Sequence, residues 1–356
     1  SGRLEGLTLT RELVQSFAPL LPEAARKPVA ALPPFTATLA VRAVEGAFQP
    51  GGDSPEDTAA ATLSLTFRDV ALDLPQEQVH ARADGTLNTA EHLAAWQCRF
   101  EAPGFTSALL KAWQPVVAAA SPQADAQIAA ALERVPEFAA EVSVRWDMQV
   151  DLKTASVARQ SLSATVRNAS AKVALDREAR LTLTGGNGAV EVGSGTFQGE
   201  ARANLLGGCV AARFSQQTDG VMLAVETAGP PHFTQVQSLD LSQAPAAVRD
   251  KIRPLTGGRL VFQVLGRAGT WNDLLAGPVN FTVGLSEGKI AAGEPGNERA
   301  YRADATVGGT FEPRAGTLKI AEAVVRRLTD PTGAGYLPPG GSLAVRDVAP
   351  PITLKE

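Results

Sequence analysis

Period-two alternation dominates the chain. From Glu141 to Leu152 the odd positions (Glu141, Ser143, Arg145, Asp147, Gln149, Asp151) are polar, and the even ones (Val142, Val144, Trp146, Met148, Val150, Leu152) are apolar. That spacing predicts a strand with one wet and one dry face. Leu63, Leu65 and Phe67 alternate in the same way against Ser64, Thr66 and Arg68, after which the apolar register moves to Val70, Leu72 and Leu74. A one-residue change of register inside a strand predicts a β-bulge. Similar runs include Trp96, Cys98, Phe100; Val221, Leu223, Val225; Leu260, Phe262, Val264; and Val279, Phe281, Val283. Roughly sixteen strands at meander spacing are expected.

Helical segments are few. Thr10 is placed to cap a helix carrying Leu13, Val14 and Phe17, and Pro22 to open a second ending near Leu32. Ser121 and Pro122 form a cap and first turn for a helix to about Val135, and another begins near Pro245. Each leads into an alternating strand. The stretch from Leu32 to Arg42 aligns without gaps on Val135 to Arg145, and a third copy begins at Pro245. The strand exit Phe67-Arg68-Asp69-Val70 returns as Val166-Arg167-Asn168-Ala169 and Val345-Arg346-Asp347-Val348. Repeats this long are multi-strand modules, not solenoid units. The expected modules are 1–120, 121–240 and 241–356, joined in one sheet.

The chain has 356 residues, 44% apolar but only 5% aromatic, so small aliphatics build its dry faces. Roughly sixty assignable helical residues are too few to cover them. The sheet therefore closes as a barrel, splits into a sandwich, or stays open with an apolar lining that meets an external ligand. A lining of Val, Leu and Ala offers no fixed hydrogen-bond partners and suits acyl chains. The candidate lining residues are Leu63, Leu65, Phe67, Trp96, Phe100, Val142, Val144, Trp146, Met148, Phe262, Phe281 and Val283.

Candidate chemistry is sparse. Cys98 and Cys209 stand apart from one another and from His80, His92 and His232, so neither a metal site nor a cofactor is expected. Whether the two cysteines are bonded is open from sequence. Gly185-Gly186-Asn187-Gly188 lacks phosphate-loop spacing and reads as a hairpin turn, and Asp69, Asp73 and Asp84 read as solvated strand charges. No enzyme is expected. A net charge of -4 without a basic, aromatic-interleaved patch gives no reason to expect nucleic acid. The chain holds no apolar run of membrane-spanning length and no signal peptide, and Ser1-Gly2 reads as a truncation edge.

The order Leu206-Gly207-Gly208, a hairpin with Val221 to Val225, Leu239-Asp240-Leu241, a helix, the glycine-bearing strand from Gly258 to Gly266, a loop at Trp271 to Leu275 and the strand from Val279 to Ile290 resembles the AsmA-like family of bacterial envelope proteins. The stretch from Leu7 to Val44 is similar to upstream modules of the same family. The resemblance implies a mainly β fold: a long, curved, taco-like antiparallel sheet, or β-groove, of repeated multi-strand modules with short helices between them. It also implies a periplasmic location with inner-membrane anchoring in the full-length protein. The implied partners are phospholipid or another acyl lipid, with inner- and outer-membrane envelope proteins. The function expected is lipid binding and transfer between the two membranes. The alternative is a scaffold that pairs with outer-membrane proteins through its sheet edges.

Overall fold

A computed structural model describes residues 2–20, 23–49, 62–154, 156–174, 179–193, 195–227, 238–252, 255–292, 299–338, 340–348 and 352–353. The protein is mainly β: its described strands form one antiparallel sheet, with a few short helices. Two compact units divide the chain.

The first unit comprises residues 1–171 and 189–194. It begins with β1 (Gly2–Thr10), α1 (Arg11–Ser16), α2 (Glu23–Ala30) and β2 (Thr36–Gln49). It continues with β3 (Thr62–Leu74), β4 (Val79–Asn88), β5 (Leu93–Thr106), α3 (Ser107–Ala120), α4 (Pro122–Arg134) and β6 (Glu137–Asp151). Strands β1 to β6 pair antiparallel in chain order. The bulge expected after Phe67 is present: Phe67 opposes Gly85, whereas Val70 opposes Ala83. Asp69 holds it in a left-handed conformation, with its N–H donating to the Asp84 carboxylate at 2.9 Å. Asn168 and Asp347, the matching positions of the repeated strand exit, take the same backbone conformation.

Strands β7 (Ser156–Ala174) and β8 (Arg180–Gly193) each have residues in both units. The Gly185–Gly188 cluster lies inside β8, which corrects the expected hairpin turn. The reason is close approach within the second unit. A β-carbon on Gly188 would stand 2.9 Å from the Glu200 carbonyl oxygen of the neighbouring strand, so only glycine fits.

The second unit comprises residues 172–188 and 195–356. Its described strands are β9 (Thr196–Leu205), β10 (Gly208–Gln217), β11 (Gly220–Thr227), β12 (Leu239–Asp240), β13 (Leu255–Ala268), β14 (Val279–Ala292), β15 (Arg299–Glu312), β16 (Thr317–Thr329), β17 (Leu343–Arg346) and β18 (Ile352–Thr353). Helices α5 (Ala246–Lys251) and α6 (Trp271–Ala276) interrupt the sequence of strands. Here β13 receives both β11 and β12, and β16 receives both β17 and β18.

The helix starts follow their capping residues. Thr10 and Ser121 each accept a hydrogen bond from the backbone N–H three residues on, at 3.3 Å, as their positions predict. Two helices were not expected. Helix α3 is capped by Thr106, and α6 replaces the loop foreseen at Trp271 to Leu275, with Thr270 as its cap. Pro22 and His232 lie outside the described residues.

Candidate functional site: the apolar sheet face

Cross-strand register turns the alternation of single strands into rows. Residues directly opposite one another in an antiparallel pair point to the same side of the sheet. In the first unit one row runs Leu7, Leu39, Leu72, Ala81, Phe100, Val144 across β1 to β6. The next runs Leu4, Val41, Val70, Ala83, Cys98, Trp146. Two more follow across β2 to β6: Val44, Phe67, Gly85, Trp96, Met148, then Gly46, Leu65, Leu87, Ala94, Val150. All four rows share one face. Nine of the sequence-derived candidates belong to it: Leu65, Phe67, Trp96, Phe100, Val144, Trp146 and Met148 within these rows, and Leu63 and Val142 beyond them in the same alternation.

One end of this face is covered. Ala37, Leu74, Val79 and Ala102 form a buried cluster against Phe35 and the α3 residues Leu109 and Trp113. The Phe35 and Trp113 rings lie 6.2 Å apart. Away from that cluster the covering thins. All nine candidates are half-buried, and Phe48, beyond the fourth row, is 66% exposed. Among the described residues, no large side chain falls below 2% exposure.

The second unit repeats the arrangement. Ala201, Ala212, Val225, Val264, Phe281, Gly309 and Ile320 form one row over seven strands. Phe262, Val283, Val307, Ala323 and Val345 form the adjacent row. The remaining candidates, Phe262, Phe281 and Val283, thus share one face here. One end is covered by Trp271 of α6, which meets Phe197 and Phe214 edge-on and donates its indole N–H to Gln216 at 2.7 Å.

Aromatic rings lie over glycines in both units. The space a β-carbon on Gly85 would need is filled by the Phe67 ring; on Gly309 it would meet first the Lys319 carbonyl oxygen of the neighbouring strand and then the Phe281 ring at 3.0 Å. Both are direct cross-strand pairs. Such rings shield glycine backbone and pin the register.

The opposite face of the first unit is polar. A cleft of about 670 Å³ is lined by Thr66, Thr86, Gln149, Asp84, Gln97 and Asp147 from this face, together with Phe67, Trp96 and Met148 of the row between them and Arg159 and Ser161 of β7. Asp147 accepts from the Gln97 amide and from Arg145 Nε at 3.2 Å, and these contacts hold its carboxyl below the ordinary range, the Gln97 bond most of all. His80 and Asp73 pair at 2.7 Å on the same exposed face. On the apolar face, burial pushes the Cys98 thiol up, and the nearby Asp147 charge adds to this. Cys98 and Cys209 are both free thiols.

The register of these rows could not be read in the sequence, and neither could the ring-over-glycine pairs. The signal that could have found the pairs is a lone glycine in an alternating strand, as at Gly85 and Gly309. Among the described residues there is no cluster of three or more metal-ligating side chains and no helix long and apolar enough to cross a membrane. Each unit is thus an antiparallel sheet whose register gathers apolar side chains on one face. Comparison with protein-family models, curated proteins and solved structures finds no match.

Proposed function

We propose that the protein is a non-enzymatic lipid-binding module whose apolar sheet face holds acyl chains, and that it serves lipid transfer between the inner and outer membranes of a bacterial envelope. The observation that carries this reading is the set of apolar rows over β1 to β6, covered by helix at one end and half-exposed along the rest. Water is a poor solvent for such a face, and each methylene laid against it contributes about 0.8 kcal/mol. Aliphatic lining without fixed polar partners lets a chain slide without large barriers. The periplasmic setting, the membrane anchoring and the envelope partners rest on the resemblance to the AsmA-like family.

The test is native mass spectrometry of protein purified under mild conditions, with extraction and identification of what is bound. Phospholipid is expected, and the pair Trp96→Glu and Met148→Glu should abolish its retention while leaving the far-ultraviolet circular dichroism unchanged. Lipid-free wild type that also fails to take up a fluorescent fatty acid rejects the reading.

A scaffold role is favoured by one feature, the strand β1. Among the described residues it pairs only with β2, and its Leu4 and Leu7 are exposed. An open edge of nine residues is a template for a further strand. Photocrosslinkers at Glu5 that capture outer-membrane protein, in a preparation that takes up no lipid, would select this role instead.

A further inference from the structure

On the polar face of the first unit the register sets three arginines in direct opposition. Arg82 of β4 opposes Arg99 of β5, which opposes Arg145 of β6, and all three are exposed. Like charges directly across an antiparallel pair weaken it, so packing alone does not account for the row. The flanking rows hold carboxylates, but most are engaged. Asp84 accepts from the Asp69 N–H, Asp73 pairs with His80, and Asp147 holds Gln97 and Arg145. Glu101, opposite His80, completes the set. Among the described residues, Arg82 and Arg99 make no ion pair, whereas Arg145 has Asp147 at 3.2 Å.

We propose that Arg82, Arg99 and Arg145 form a site for a phosphoryl group. Neighbouring strands stand about 4.8 Å apart, so successive guanidinium forks can bracket one tetrahedral dianion from adjacent strands. A multivalent oxyanion seated between the forks offsets the mutual repulsion of the row more directly than the four carboxylates of the flanking rows, which stand beside it. The site lies on the face opposite the apolar rows and does not depend on lipid binding there.

The test compares wild type with Arg99→Gln, and with Arg82→Gln as a second variant, by thermal unfolding at low ionic strength. Inorganic pyrophosphate is the probe, and sodium chloride at matched ionic strength is the control. Pyrophosphate should raise the wild-type Tm well beyond the salt control, and its apparent affinity should fall at least tenfold in either variant. Sedimentation with vesicles containing phosphatidic acid assigns the source of the phosphate: binding of vesicles that Arg99→Gln abolishes, without a pyrophosphate effect, makes it a lipid headgroup. Responses to both probes that are absent, or identical in wild type and variants, overturn the assignment.

Discussion

Gly85→Ala places a methyl group where the Phe67 ring lies. Glycine inside a strand ordinarily costs roughly 0.5–1 kcal/mol relative to alanine, so without the ring this substitution would stabilise the sheet. With the ring in place, the new β-carbon overlaps the Phe67 edge, and the Ala95 carbonyl oxygen at 3.2 Å closes the other side. Overpacking costs about 1–3 kcal/mol, and an overlap confined between a ring and a backbone carbonyl falls in the upper part of that range, about 2–3 kcal/mol, which leaves a net loss of about 1–2.5 kcal/mol. Urea unfolding followed by tryptophan fluorescence is the assay, since Trp96, Trp113 and Trp146 lie in the first unit and only Trp271 in the second. At an m-value of roughly 2 kcal/mol/M the midpoint should fall by about 0.5–1.25 M. Phe67→Leu frees the space, so in that background Gly85→Ala should become neutral or stabilising, with a coupling of about 1 kcal/mol. A Gly85→Ala protein as stable as wild type, with additive behaviour in the double variant, would refute the ring-over-glycine account.

Other consequences follow from single contacts. Ser121→Ala removes the side-chain acceptor at the start of α4 and should cost about 1 kcal/mol by urea unfolding, whereas Ser121→Asp should restore it. Asp147 has a depressed carboxyl in the folded state, so its contribution is present above the unfolded carboxylate range and is lost as pH falls through the folded value. Asp147→Asn should therefore flatten the acid limb of the stability profile below about pH 4, measured by thermal unfolding from pH 2 to 7. Cys98, its thiol raised by burial, should alkylate more slowly at pH 8.5 than a free cysteine, and more slowly still when a fatty acid is present.

Alternation carried the strands because each strand has only one wet side, and a side-chain period of two survives any register. The bulge after Phe67 was legible for the same reason, since an extra residue moves the apolar set from odd to even positions. Helix α3 was not. Its helical pattern of Leu109, Leu110, Trp113 and Val117 is interrupted by Pro115 and lies directly against a strand, so neither period stands out. The Gly185–Gly188 cluster misled because turn chemistry and close backbone approach call for the same residue. The membership of the apolar face was legible strand by strand. Its rows, and the arginines facing one another behind them, depend on loop lengths and bulges that set which residue meets which.

The ring-over-glycine pairs bear on whether the apolar face is an ordinary core. A sheet whose dry side meets a second layer has its glycines filled from that layer, by side chains descending between strands. Phe67 and Phe281 instead lie down on the neighbouring strand of their own sheet, Phe67 over Gly85 and Phe281 over Gly309. The same device occurs in both units, each with helix over one end of its rows, so part of the glycine backbone of the face is covered from within the sheet itself. Replacing Phe281 by leucine should then weaken the second unit by roughly 1 kcal/mol in the free protein. Saturation with a long-chain fatty acid should recover part of that loss as a Tm shift larger than the wild type shows. An equal shift in the two proteins would mean that ligand and ring do not share the face.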